Sequence, residues 1–306
     1  MGRWLAASLA PGHGGEWPAA GKPTMRPTLQ PAAVEETRII VLPGAIQIPA
    51  EPVLPVRSFV ALGDSLTEGV GDPYPDGRCR GWADRFAAEL AAASAGLRYA
   101  NLAIRGKTVR QVVSEQLPAA LAFSPDLVSI AAGGNDLLRP RCDPDALAAE
   151  FGEAVAELRA AGSRVLLFTG FDPGGFPVLR LIRGKAAVFN AQLREVARKH
   201  QCLHVDLWSM RVLRDPREWC PDRLHLAADG HRRVALRACE VVGLPVRQDW
   251  REPLPADPAP QPDWRAARLE DLAWARTYAA PWLRRRLQGR STGDGMTPKR
   301  PDLLGL

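Results

Sequence analysis

From Ser58 onward the chain alternates short apolar runs with longer stretches whose apolar residues recur at helical spacing, and that rhythm narrows the possible folds more than any other feature. The runs FVALGD (59–64), LRYANL (97–102), DLVSIAAG (126–133), RVLLFTG (164–170) and CLHVDLW (202–208) read as strands. Between them WADRFAAELAAAS, TVRQVVSEQLPAALAF, PDALAAEFGEAVAELRAA and AAVFNAQLREVARKH read as helices, and a last helix begins near Asp229 and runs through VALRACEVV. Such alternation predicts an α/β fold with a five-stranded parallel sheet covered by helices on both faces. Ligands of these sheets bind beyond the carboxyl ends of the strands. Ser65 follows the first predicted strand, Gly106 the second and Asn135 the third, while Asp222 and His225 lie between the fifth strand and the last helix. All five residues are therefore expected at one edge.

These residue types form a recognisable set. A serine hydroxyl becomes nucleophilic when a neighbouring base takes its proton and a third group holds that base in the right tautomer. Ser65, His225 and Asp222 supply those types, and the spacing of the last two puts both side chains on one side of a tight turn. Acyl transfer also needs fixed donors for the oxyanion of its tetrahedral intermediate. The Asn135 amide and the main-chain N–H groups of Ser65 and Gly106 are the candidates. Taken singly, each residue has an ordinary role: Ser65 or Thr67 as a helix cap, His225 as a structural histidine, Gly106 and Asn135 as turn residues. Asp206, at the end of the fifth predicted strand, is a reserve candidate for orienting His225. A GxSxG elbow is not formed around Ser65, where the sequence reads Gly63-Asp64-Ser65-Leu66-Thr67.

The blocks GDSL (63–66), NLAIRG (101–106), GGND (133–136) and DRLH (222–225) occur in this order. Together they resemble the SGNH/GDSL hydrolase family over the middle of the chain. GDSLTEG, the RGWADR helix, the LHL..GH segment and a basic C-terminal extension are most similar to its actinobacterial branch. The resemblance implies a three-layer α/β/α sandwich of flavodoxin-like type and a serine esterase or acylhydrolase that works without a cofactor. It also implies Ser65 as nucleophile, His225 as base, Asp222 as its orienting acid, and Ser65, Gly106 and Asn135 as the oxyanion hole. An acyltransferase would use the same residues with an alcohol in place of water, and a silent ligand-binding relative would keep the fold without the reaction. The expected substrate is a small-molecule, lipid or sugar ester.

Composition narrows the partners. The net charge is +6 and the pI is near 9.4, but most arginines are scattered and no nucleic-acid partner is expected. The densest basic run, Arg284 to Arg286 with Arg290, lies far along the chain from the candidate chemistry. Cys79, Cys142, Cys202, Cys220 and Cys239 show no CxxC spacing, and only a Cys79 to Cys142 bridge comes into consideration. A metal set of Asp222, His225, Asp229 and His231 can be drawn, but His231 reads as part of the last helix, so no metal is expected. Gly21-Lys22 lacks the glycine spacing of a phosphate loop.

No apolar run reaches the roughly 18 residues of a membrane span, so no integral membrane association is expected. The apolar stretch after Arg3 is short and is cut by Pro11, which favours a cytoplasmic location over secretion. The expected organisation is an irregular N-terminal extension (1–57), a catalytic domain (58–245), then a Pro-rich linker, a helix and a basic disordered tail (246–306). In that helix Trp274 and Tyr278 are expected on one face docking on the domain, with a kink or restart at Pro281. Oligomeric state is left open by the sequence.

Overall fold

The computed structural model describes residues 55–176, 179–246, 248–256 and 264–306, so the expected irregular segment 1–57 lies outside the described residues except for its last three positions. Strand β1 (Ser58–Gly63) leads into a single turn, α1 (Ser65–Glu68), and then α2 (Gly81–Ala93). After β2 (Arg98–Asn101) come α3 (Val109–Gln111), a π-helical turn at Val112–Gln116 and α4 (Leu117–Phe123). Strand β3 (Leu127–Ala131) is followed by α5 (Gly134–Leu137) and α6 (Pro144–Ala160), β4 (Arg164–Thr169) by α7 (Arg183–Lys199), and β5 (Leu203–Asp206) by α8 (Ala228–Val241). Past the linker lie α9 (Trp264–Trp274), a second π-helical turn at Ala275–Ala279, α10 (Ala280–Leu287) and a last strand, β6 (Arg300–Gly305).

The sheet order is β5-β4-β3-β1-β2-β6, with the first five strands parallel. Strand alternation sends Phe59 and Ala61 to one face, where they pack with Trp82 and Phe86 of α2 and Val234 and Ala238 of α8. Val60 and Leu62 point the other way, toward Phe151 and Leu158 of α6 and Phe189 and Leu193 of α7. Both faces of β1 are thus buried, which is why it reads as a continuous apolar run. The three-layer α/β/α arrangement and the flavodoxin-like order of its parallel strands agree with the reading of the sequence.

The sheet differs from expectation in having six strands instead of five. The disordered tail expected in 246–306 is overturned at its end, where β6 pairs antiparallel with β2 through Arg98↔Gly305, Tyr99↔Leu304 and Asn101↔Arg300. An edge strand leaves its outer N–H and C=O groups unpaired, and the chain covers that edge of β2 with its own C-terminus. Lys299 secures the approach, placing Nζ 2.8 Å from the Asp84 carboxylate. Pro301 is tolerated because an edge strand is paired on one side only.

Pro118 breaks the predicted 108–123 helix in a related way. It has no N–H for an ordinary turn, and the preceding residues widen so that the Leu117 amide donates to Val112. This places Gln116, which is buried, toward the carboxyl end of β1.

Candidate active site

Ser65 opens α1 directly after β1. The buried Asp64 caps that turn, its Oδ1 accepting from the Leu66 amide at 3.2 Å. The end of β1 is held by Gln116, whose Oε1 accepts from Gly63 N–H and whose Nε2 donates to Gly63 C=O, both at 2.9 Å. Gly63 is required by contact: a Cβ there would lie 2.3 Å from the Ala131 carbonyl oxygen. The half-buried Ser65 therefore stands on a backbone fixed from two sides. Among the described residues neither its Oγ nor its main-chain N–H has a hydrogen-bond partner. An N–H in the first turn of a helix has no acceptor within the helix.

Gly106 follows β2 in a left-handed conformation (φ +77°). A Cβ at this position would come within 2.1 Å of Ser291 Oγ, so the C-terminal segment packs directly on this loop. The loop is tied to α1 by Glu68, which accepts from the Arg105 amide at 2.7 Å and pairs with the Arg105 guanidinium. The Gly106 N–H, like that of Ser65, is free of intramolecular acceptors among the described residues. Asn135, on α5 after β3, donates from Nδ2 to Asp64 Oδ2 at 3.1 Å and to the Lys107 carbonyl at 2.9 Å. These contacts bring the Ser65, Gly106 and Asn135 segments to one edge.

His225 and Asp222 sit in a closed turn before α8, in which the Cys220 amide donates to the His225 carbonyl at 2.8 Å. His225 Nδ1 lies 2.6 Å from Asp222 Oδ2. The other carboxylate oxygen accepts from the amides of Leu224 and His225, both at 3.0 Å. Burial pushes the Asp222 carboxyl up, but the hydrogen bonds and charge of His225 and the two amides outweigh it and hold the group below its usual value. An ionised Asp222 accepts Nδ1–H, which fixes the tautomer in which Nε2 of His225 carries the lone pair. His225 also acts on Asp64: burial pushes that carboxyl up to about 6, while the Leu66 amide and the His225 charge pull the other way.

Asp206 does not orient His225. It accepts from Thr169 Oγ1 at 2.9 Å and pairs with Arg194, so it serves the sheet edge. Nor do Asp222, His225, Asp229 and His231 converge as metal ligands. His231 Nδ1 accepts from Trp82 N–H at 3.2 Å and Nε2 donates to Val70 C=O at 3.0 Å. Burial lowers the His231 pKa to about 4, and the neutral ring ties α2 to the loop after α1. Asp229 is taken by Arg232 and Arg233. All five cysteines are free thiols, Cys79 and Cys142 included.

Three contributors escape a reading of the sequence. Glu68 and Arg105 belong to quoted blocks, and their opposite charges are a usable signal. Gln116 has none, since a glutamine in a helical stretch reads as solvent-facing. Trp274 was expected to dock on the domain, and its indole Nε1 donates to the Asp222 carbonyl at 3.0 Å. Tyr278 does not share that position and remains exposed.

Residues 61–233, more than half of the chain and including all five candidate residues, match the GDSL-like lipase/acylhydrolase family. A lipase from Streptomyces rimosus is 35% identical over 103 residues, which cover 33% of this chain and 38% of that protein. The match thus spans well under half of the curated relative's length. An alpha/beta hydrolase from the metagenome of Lake Arreo, Spain, superposes with a TM-score of 0.53 at 24% identity, covering 61% of this chain and 95% of its own. An acetylxylan esterase from Geobacillus stearothermophilus gives 0.52 at 23% identity, covering 63% and 95% respectively. These two likenesses concern the fold.

Proposed function

The chain belongs to the GDSL-like lipase/acylhydrolase family, and from that premise we propose that it cleaves carboxylic esters through an acyl-enzyme on Ser65. His225 Nε2 takes the Ser65 proton as Oγ attacks the ester carbonyl carbon. The resulting oxyanion lies among the N–H groups of Ser65 and Gly106 and the Nδ2 of Asn135, which turns one hydrogen from Asp64 toward substrate. His225 then protonates the departing alcohol. Water, deprotonated by the same nitrogen, attacks the acyl carbon and returns Ser65.

The observation that carries this reading is the 2.6 Å contact between His225 Nδ1 and a carboxylate already held by two main-chain amides. The Geobacillus esterase gives further support, since variants described as catalytic mutants replace a serine, an aspartate and a histidine, the last two three positions apart. The same three residue types, with the same spacing of acid and base, stand at Ser65, Asp222 and His225.

Purified protein is expected to hydrolyse a short-chain aryl ester and to label with a fluorophosphonate, and Ser65→Ala is expected to lose both. Equal hydrolysis by wild type and Ser65→Ala, with no labelling of either, overturns the proposal. Transfer product in excess of free acid when an alcohol is supplied would assign the same residues to an acyltransferase.

A further inference from the structure

The segment after the linker has two faces of different chemistry. Its inner face is satisfied: Trp274 donates to Asp222, and Asp271 pairs with Arg223 at 2.5 Å while the Arg223 guanidinium lies 5.4 Å from the Trp274 ring centroid. Its outer face is open. Leu269 and Leu272, one turn apart, are each 67% exposed, and Trp264 at the start of α9 is 71% exposed. Arg268 and Arg276 stand one turn before and after Leu272, and both are exposed. Farther along, Arg276, Arg284, Arg285 and Arg290 line one open concavity with Ala280, Pro281 and Gln288.

None of these arginines has a carboxylate partner among the described residues. Residues 264–290 hold seven arginines against Glu270 and Asp271, a net +5 in a chain whose total is +6. Asp271 is already committed to Arg223. Most of the protein's excess positive charge is therefore carried by this one segment, beside large apolar side chains that the fold leaves in water.

We infer that this surface docks on an anionic lipid interface. Large exposed apolar residues on a basic helix suit a surface that is apolar beneath and negatively charged above. A polyanion such as nucleic acid would reward the arginines but leave Leu269 and Leu272 in water. The position supports the same partner. The segment leaves the acid–base turn at Trp274 and returns to the Gly106 loop at Ser291 and Gly293, so its outer surface lies between two anchors on either side of the candidate site. This inference rests on the ester-hydrolase reading for its consequence, that the esters hydrolysed are ones presented at such an interface, but not for the docking itself.

Co-sedimentation of the full chain with vesicles tests it. Wild type is expected to pellet with phosphatidylcholine vesicles containing phosphatidylglycerol, to stay in solution with pure phosphatidylcholine, and to be released as salt is raised. The double variant Leu269→Asp/Leu272→Asp and the triple variant Arg276→Glu/Arg284→Glu/Arg285→Glu are each expected to weaken binding by about tenfold or more. Their turnover of a water-soluble short-chain ester is expected to match wild type, which shows that the variants are folded. Wild type remaining in solution with the anionic vesicles overturns the inference, as does undiminished binding by the leucine variant. Retention on single-stranded nucleic acid that ignores the leucine substitutions, without vesicle binding, overturns it in favour of a polyanion. A wild type that pellets with vesicles but hydrolyses no ester leaves the docking surface standing and sinks the hydrolase reading alone.

Discussion

The indole of Trp274 donates a hydrogen bond to the main-chain carbonyl of Asp222 across 3.0 Å, joining two residues 52 positions apart. Its neighbour Asp271 pairs with Arg223, which has a left-handed backbone (φ +56°) between the candidate acid and base. A non-glycine residue in that conformation is strained and persists when its surroundings hold it. Helix α9 thus braces the turn that presents His225.

Trp274→Phe keeps most of the ring and loses the donor. A net hydrogen bond is worth about 1 kcal/mol, so a fall in kcat of about fivefold with KM nearly unchanged is expected if the bond positions His225. Steady-state kinetics on a soluble ester separate the two parameters. A rise in KM with kcat intact would assign Trp274 to substrate binding instead.

Asp222→Asn retains an oxygen for the Leu224 and His225 amides but replaces the acceptor of His225 Nδ1–H with an amide group. The imidazole is then favoured in the wrong tautomer, and kcat is expected to fall by about 10³–10⁴-fold while the fold survives. Activity assays paired with circular dichroism check both halves.

Asp64 titrates against stability. Its folded pKa of about 6 lies above the ordinary value of 3.8, so the folded state holds the proton more tightly. The contribution is fully present below about pH 4 and is lost as pH rises through about 6. Asp64→Asn keeps the cap without the charge. Its stability relative to wild type is expected to improve by about 2 kcal/mol between about pH 4 and about pH 8, measured by denaturant unfolding at both values.

Gln116→Leu removes both side-chain bonds to Gly63, so that its buried N–H loses the Gln116 acceptor and its C=O keeps the Ile104 amide at 3.4 Å. A loss of about 2–4 kcal/mol in unfolding free energy is expected, with activity reduced in the folded fraction because β1 no longer ends in a fixed position. Denaturant titration gives the first quantity and active-site titration with a fluorophosphonate the second.

Local periodicity was enough to locate the five parallel strands along the chain, because a strand buried on both faces must be apolar throughout and a covering helix must repeat every three to four residues. It was enough also to set Ser65, Gly106 and Asn135 at strand ends and to pair Asp222 with His225, since those two lie within a single turn. The tail escaped this reading. Gly, Asp, Pro and Lys before Arg300 read as disorder, yet the open edge of β2 accepts a strand of almost any sequence through its main chain.

What the sequence by itself determined is therefore the layer architecture and the identity of the candidate chemical groups. The tertiary structure alone decided their support: Gln116 on Gly63, Glu68 on Arg105, Ser291 against Gly106, and Trp274 on Asp222. Each joins groups at least 37 residues apart, as with Glu68 and Arg105. Periodicity records which side of an element is apolar. Which distant polar group meets which depends on how the elements pack: opposite charges at Glu68 and Arg105, or an aromatic stripe at Trp274, offer a signal without naming the partner, and Gln116 offers none.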